Sequence, residues 1–330
     1  SRLPEPGEEP VELPAAEAEE FSFELPELPV SIDIQAFEVA EINLGEPILG
    51  EAASLAVTAA ARLNDEGLFT DVSAERIDSV AGVLDLEATV LRDGTQIDLN
   101  IGLKEAPDGI ASRLLSLPDR PSVDLSIAGA GTLDDFTADI ALKTDATPRL
   151  EGQVSLSAET PAEGQSGTDR RIRAEIGGDI TALVLPEYQD FFGPDVALNI
   201  DTLLVSDGSI DVQDFSIAAK AVDLAGKVTL GPDKWPSFVD VAGEIAENGA
   251  PVALPGADGI TIQSVGLDVQ FDASKGDAIT GRFDILDFRQ EAVTLAKSSL
   301  VLDGVLKGGA EAIGSFASDI KLDVSGIELS

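Results

Sequence analysis

The sequence predicts an all-β fold, an elongated, twisted and mostly antiparallel sheet. Three observations carry this. Apolar residues alternate with polar ones at period two along most of the chain, and turn signals separate the alternating runs at spacings of mostly 10–20 residues. Only two segments have helical spacing. Parallel βαβ units would need a helix between each pair of strands, and the sequence has no room for them.

Residues 1–29 stand apart. They hold Pro4, Pro6, Pro10, Pro14, Pro26 and Pro29 with nine Glu and a single Arg, which predicts an extended, self-repelling linker. From residue 30 to 330 the texture is that of a repetitive β section. Val30, Ile32 and Ile34 open it, and Leu55, Val57, Ala59, Ala61 and Leu63 follow. Next come Leu84, Leu86, Ala88 and Val90, then Ile97, Leu99, Ile101 and Leu103. Val123, Leu125 and Ile127 lead to Phe136, Ala138, Ile140 and Leu142, and then to Val154 and Leu156. The second half continues with Ile172, Ala174 and Ile176; Val196, Leu198 and Ile200; Phe215 and Ile217; and Val228 and Leu230. Val239, Val241 and Ile245 precede Leu267, Val269 and Phe271. Ile279, Phe283 and Ile285 precede Leu300 and Leu302, and Ile320, Leu322 and Val324 close the series. Arg92-Asp93-Gly94, Asn64-Asp65-Glu66-Gly67, Ser206-Asp207-Gly208, Gly231-Pro232-Asp233 and Asp303-Gly304 are the turn signals.

The two helical candidates are Gly109–Leu117, stopped by Pro118, and Asp179–Gly193. In the second, Asp179 is a plausible N-cap, Gly193 a plausible stop and Pro186 a break. Val123–Leu142 and Leu300–Leu322 read as a weak internal repeat: strand, Gly-rich turn, short insert, strand.

Composition excludes much chemistry. The net charge of −40, from 21 Lys+Arg against 61 Asp+Glu, is the wrong sign for nucleic acid or an anionic lipid surface. Cys, His and Met are absent, so thiolate chemistry, a Ser–His–Asp triad and Cys/His metal sites cannot be built. Asp207, Asp211 and Asp214 lack the pattern of a calcium loop and read as an acidic turn. Gly129-Ala130-Gly131 has no third Gly and reads as a flexible turn rather than a nucleotide fingerprint. With one Trp and one Tyr beside 13 Phe, the polar aromatics that stack on sugars are nearly missing. The expectation is a non-enzyme with no cofactor and no metal. No run approaches 18 apolar residues. The start at Ser1-Arg2-Leu3, without Met, suggests a section of something longer.

The candidate functional residues are therefore aliphatic: Leu84, Leu86, Val90, Leu99, Ile101, Leu125, Ile127, Ile140, Leu142, Leu156, Ile176, Leu198, Ile200, Phe215, Ile217, Leu230, Val269, Phe271, Phe283, Ile285, Leu302 and Leu322. Branched aliphatics hold acyl chains without directional contacts, at roughly 0.8 kcal/mol per buried CH₂. Periodicity leaves two arrangements open. In one the faces close on each other in a structural or adhesive array acting through protein partners. In the other one face stays open as a groove.

Five segments carry a family resemblance: Leu28-Pro29-Val30; Ile42-Asn43-Leu44-Gly45-Glu46-Pro47-Ile48-Leu49-Gly50; Leu114-Leu115-Ser116-Leu117-Pro118; Gly129-Ala130-Gly131-Thr132-Leu133-Asp134-Asp135-Phe136; and Pro186-Glu187-Tyr188-Gln189-Asp190-Phe191-Phe192-Gly193. With these the chain resembles the TamB family of translocation and assembly module proteins, within the AsmA-like, bridge-like lipid transfer group. The resemblance implies a sheet curled into a U-shaped trough, β-taco-like, with an apolar interior. It also implies a periplasmic body tethered to the inner membrane by an anchor outside this chain. Phospholipid acyl chains are the implied cargo, and an outer-membrane Omp85-type partner (TamA) is met through regions outside this chain. The implied roles are phospholipid transport between the membranes and outer-membrane protein assembly.

Overall fold

The computed structural model describes residues 31–45, 52–92, 94–161, 167–257, 259–290, 293–306 and 317–329. The linker expected over 1–29 lies outside the described residues, as does the insert of the second repeat copy.

The chain forms one antiparallel sheet of nineteen strands that does not close. They are β1 (Ile32–Leu44), β2 (Ala53–Leu63), β3 (Gly67–Arg76), β4 (Gly82–Leu91), β5 (Ile97–Glu105), β6 (Val123–Gly131), β7 (Asp135–Thr144), β8 (Thr147–Glu159), β9 (Asp169–Gly178) and β10 (Val196–Leu204). β11 (Ile210–Ala218), β12 (Val222–Leu230), β13 (Pro236–Ala246), β14 (Val252–Ala253), β15 (Ile260–Ile262), β16 (Ser264–Asp272), β17 (Ala278–Gln290), β18 (Val293–Val305) and β19 (Ala317–Leu329) complete it. Each strand from β1 to β13 pairs with its sequence neighbours; β13 then pairs with β16, and the meander runs on to β19. β14 and β15 form a small ribbon outside this order, and β15 adds to the end of β17.

Alternation forces all connections onto two rims. Among the described residues, the rim reached from the ends of the even strands β2 to β12 carries tight turns at β2–β3, β6–β7 and β10–β11, each fixed by its own side chain. Asn64 Oδ1 accepts from the amides of Glu66 and Gly67, Thr132 Oγ1 from those of Asp134 and Asp135, and Asp207 Oδ1 from that of Ser209. The opposite rim carries every insertion among the described residues. These are α1 (Ile110–Leu114), a 3₁₀ turn (Thr181–Leu183) followed by α2 (Pro186–Phe192), and the β14–β15 ribbon.

The helices differ in detail from expectation. α1 ends at Leu114, because Ser116 is already left-handed at φ 52°, before Pro118 is reached. Pro186 does not break a helix; it begins α2, where the missing N–H costs nothing. Asp179 caps only the 3₁₀ turn, through the Thr181 amide, whereas Gly193 at φ 65° ends α2 as expected. Gly129–Gly131 belongs to β6 rather than to a turn, which is Thr132–Asp134.

The best-buried apolar cluster sits at the insertion rim. Phe191, Ala221, Val252 and Ile262 pack with Phe192, Leu254, Ile260 and Phe288 onto the cross-strand row Val222–Ile245–Val265–Ile285. α2 is tied down by backbone bonds from Lys220 and Ala221 to the carbonyls of Phe192 and Phe191, and Lys220 Nζ pairs with Glu247 at 2.8 Å and Asp190 at 3.3 Å.

Candidate functional site

In an antiparallel sheet, residues directly opposite one another share a face. Following the register strand by strand gives one row across the whole meander: Phe37, Ala59, Val72, Leu86, Ile101, Ile127, Ile140, Gly152, Ile176, Leu198, Ile217, Leu224, Gly243, Leu267, Phe283, Leu300 and Leu322. Every member is apolar or glycine. The parallel row two residues along each strand is Ile34, Ala61, Thr70, Ala88, Leu99, Gly129, Ala138, Val154, Ala174, Ile200, Phe215, Gly226, Val241, Val269, Gly281 and Leu302, with Thr70 its one polar member.

The row between them faces the other way and reads Ala60, Asp71, Glu87, Asn100, Ala128, Asp139, Gln153, Glu175, Asn199, Ser216, Ala225, Ala242, Asp268, Arg282, Val301 and Lys321. The sheet thus separates an aliphatic face from an acidic one along its full width.

All the aliphatic candidates fall on the apolar face. Leu84, Leu125 and Leu142 lie in a further row toward the insertion rim, and Val90, Leu156 and Phe271 in one toward the tight-turn rim. Leu230 pairs with Ile210 at the tight-turn end, and Ile285 lies under α2 and the ribbon. Phe271 is buried, Leu84 and Leu322 are exposed, and the others are half-buried. A second sheet packed over this face would bury such residues nearly completely; half-burial belongs to a face covered on one side only.

Alternation is kept in phase by bulges. Apolar residues of β1 fall at Ile34, Phe37, Val39, Ile42 and Leu44, and register shifts between Ile34 and Phe37 and between Val39 and Ile42 absorb the extra residues. Similar shifts occur at Asp201/Thr202 of β10 and Val212/Phe215 of β11. β3, including Val72 and Ala74, also lines this face, as do Leu103, Val154, Leu224, Val241, Leu267 and Leu300. Leu103, Val154, Val241, Leu267 and Leu300 belong to alternating runs legible in the sequence, whereas β3 and Leu224 do not, and only the register assigns any of them to this face.

The face is bordered by three charged side chains whose bonds are already made. Arg76 Nε pairs with Asp78 at 2.8 Å. The Glu105 carboxylate accepts from the Ile110 and Ala111 amides at 3.0 and 2.7 Å, which seats the start of α1 on the sheet. Arg170 donates to the Leu133 carbonyl at 2.7 Å.

The acidic face holds a short two-bonded ion pair. Arg171 grips Asp201 with two bonds of 2.6 Å, and Arg173 adds a third at 3.2 Å. The Arg171 bond holds the Asp201 carboxyl below the usual carboxylate range, against opposing burial, with Arg173 assisting. A cavity of about 450 Å³ opens over β1–β5 beside Asp71, Glu87, Asp98 and Arg62, whose guanidinium stacks on Phe69 at 4.4 Å. Among the described residues no cluster of three or more acidic groups could hold a metal ion, and Asp207 and Asp211 are spent on Ser209 and Thr229. No helix among these residues is long and apolar enough to cross a membrane.

No protein family matches the chain, and no curated protein and no solved structure is similar to it.

Proposed function

We propose that this chain is a section of a non-catalytic envelope protein whose apolar face curls into a U-shaped trough for phospholipid acyl chains. It carries lipid between inner and outer membranes and supports outer-membrane protein assembly. The observation that carries this reading is the pair of rows, aliphatic or glycine but for Phe37, Phe215, Phe283 and Thr70, that extends across the meander mostly half-buried. Soluble monomers rarely leave so large a contiguous apolar surface without a use. Curling toward that face is supported by its glycines. A Cβ on Gly152, Gly226 or Gly243 would stand 2.3–2.5 Å from a carbonyl oxygen of the neighbouring strand, so adjacent backbones crowd together on that side.

The mechanism is passive. Acyl chains lie against residues such as Leu86, Leu99, Leu125, Ile140, Leu198, Phe215, Val269 and Phe283, each CH₂ contributing roughly 0.8 kcal/mol, while the headgroup stays in water at a rim. No residue performs chemistry. The resemblance to the TamB family supplies the compartment, periplasmic and anchored to the inner membrane, and an Omp85-type partner (TamA) at the outer membrane. An open sheet does not favour a structural array with a closed core.

Native mass spectrometry of the purified chain, followed by organic extraction, tests this. Stoichiometric phospholipid is expected. A lipid-free protein that takes up no lipid from vesicles and still unfolds cooperatively would overturn the proposal.

A further inference from the structure

We infer that the apolar face selects phospholipids bearing an ammonium group and no net charge over anionic ones; this rests on the acyl-chain reading above. The two central rows contain no charged side chain, so nothing along the path of an acyl chain could receive a phosphate or carboxylate. The basic residues bordering the face, Arg76 and Arg170, are already bonded to Asp78 and to the Leu133 carbonyl.

The headgroup must therefore find its surroundings at a rim, and among the described residues the tight-turn rim is the one free of helices. Its turns present exposed carboxylates at Asp65, Glu66, Asp134, Asp207, Asp233 and Asp277. Three cations described at that rim are engaged locally. Lys275 pairs with Asp272 at 2.8 Å, Lys234 donates to the Gly208 carbonyl, and Arg92 donates to the Asn64 carbonyl at 3.2 Å. With 61 acidic against 21 basic residues in the chain, the surrounding field has the same sign.

An ammonium headgroup meets partners at this rim, whereas a headgroup with net negative charge meets repulsion. A potential of about −30 mV, ordinary for an acidic surface, lowers the local concentration of a monovalent anion about threefold. The effect acts through solvent and weakens as salt shortens the screening length.

The experiment uses the whole chain and vesicles holding equal amounts of phosphatidylethanolamine and phosphatidylglycerol with matched acyl chains. Protein is re-isolated by size exclusion, and the bound lipid is extracted and quantified by mass spectrometry. The ethanolamine lipid is expected in about threefold excess at low salt, with the ratio falling toward one at about 0.5 M salt. A variant combining Asp65→Lys, Asp134→Lys, Asp207→Lys and Asp233→Lys should move the ratio toward the glycerol lipid without lowering the total bound. Equal binding at low salt, or an unchanged ratio in a folded variant, overturns the selectivity. Failure to recover either lipid overturns the acyl-chain reading itself.

Discussion

Gly152 of β8 lies directly opposite Ile176 of β9, and the Ile176 backbone fills the space a side chain at 152 would need. A Cβ there would sit 2.7 Å from the Ile176 Cα and 2.3 Å from the Glu175 carbonyl oxygen. Backbone cannot rotate aside as a side-chain tip can, so Gly152→Val must push the two strands apart. Two ladders are disturbed, because β8 also pairs with β7. The expected loss is about 2 to 4 kcal/mol, the range of severe overpacking. Gly102, on the acidic face with nothing within 4 Å of its Cβ position, is the control, and Gly102→Ala should change stability little. Urea titrations of both variants decide the matter; equal midpoints would refute the crowding.

The β7–β8 hairpin offers a stabilising change. Asp145 and Ala146 are both left-handed, at φ 49° and 60°, in a two-residue turn of the kind that suits the twist of a hairpin. Asp145 tolerates this and bonds Ser122, whose hydroxyl donates to its carboxylate at 2.9 Å. Ala146 has only the steric penalty. Ala146→Gly should raise stability by about 1 kcal/mol, since relief of the strained φ outweighs the added freedom of the unfolded chain. An unchanged or lower melting temperature would count against the strain.

Most of this sheet was legible because a half-buried strand writes its face into every second residue. Leu198 with Ile200 and Leu267 with Val269 needed no further information. β3 was not legible: Thr70 interrupts its apolar series and Arg76 ends it, so the alternation is diluted below recognition. The end of β1 was hidden by its bulges, which space Ile34, Phe37, Val39 and Ile42 unevenly while keeping them on one face. β14 and β15 have two and three residues, too few for a period. That all candidate residues share a single face is a property of register, which short-range pattern does not encode. The position of both helices at one rim follows from strand parity and becomes visible only once every strand, including β3, has been counted.

The Arg171–Asp201 pair predicts an acid limit. Asp201 titrates below its ordinary value because Arg171 binds its ionised form. A depressed folded-state pKa gives stability that is full above the unfolded value of about 3.9 and disappears as pH falls through the lower folded value. Asp201→Asn should therefore destabilise the protein at pH 7, and the difference from the parent should shrink as pH falls below the unfolded value of about 3.9. Thermal melts of both proteins across that range check this. A difference that stays constant with pH would assign the loss to packing instead.

α2, with the β14–β15 ribbon, covers one stretch of the apolar face, and Phe191 is its buried anchor, 9 % exposed and edge-on to Phe192 with ring centroids 5.0 Å apart. Phe191→Ala removes the side chain that joins Ala221, Val252 and Ile262 to the row beneath, at an expected cost of about 3 kcal/mol. The damage should be local. Hydrogen exchange should speed up at the insertion-rim ends of β12, β13, β16 and β17 and remain unchanged in β4–β7, which share no contact with the cluster. Uniform acceleration would mean that the sheet opens as one cooperative unit and that α2 is no separate cover.

The two faces of β10 allow the proposed function to be separated from stability. Leu198 lies in the central apolar row between Ile176 and Ile217, while Asn199, the next residue, faces the acidic side and donates to the Ser216 hydroxyl at 3.1 Å. Leu198→Asp places a carboxylate among aliphatic neighbours, and a half-buried site keeps the cost to about 1 to 3 kcal/mol. Combined with Ile127→Asp four strands away, it interrupts the face twice without touching a turn or a helix. Lipid recovered from the double variant should fall by at least about tenfold, because a carboxylate cannot share a dry contact with an acyl chain. Asn199→Asp adds the same charge one residue away and should leave lipid binding intact. If the double variant, folded by circular dichroism, still returns lipid at the parent's stoichiometry, the acyl chains lie elsewhere and the apolar face serves another partner.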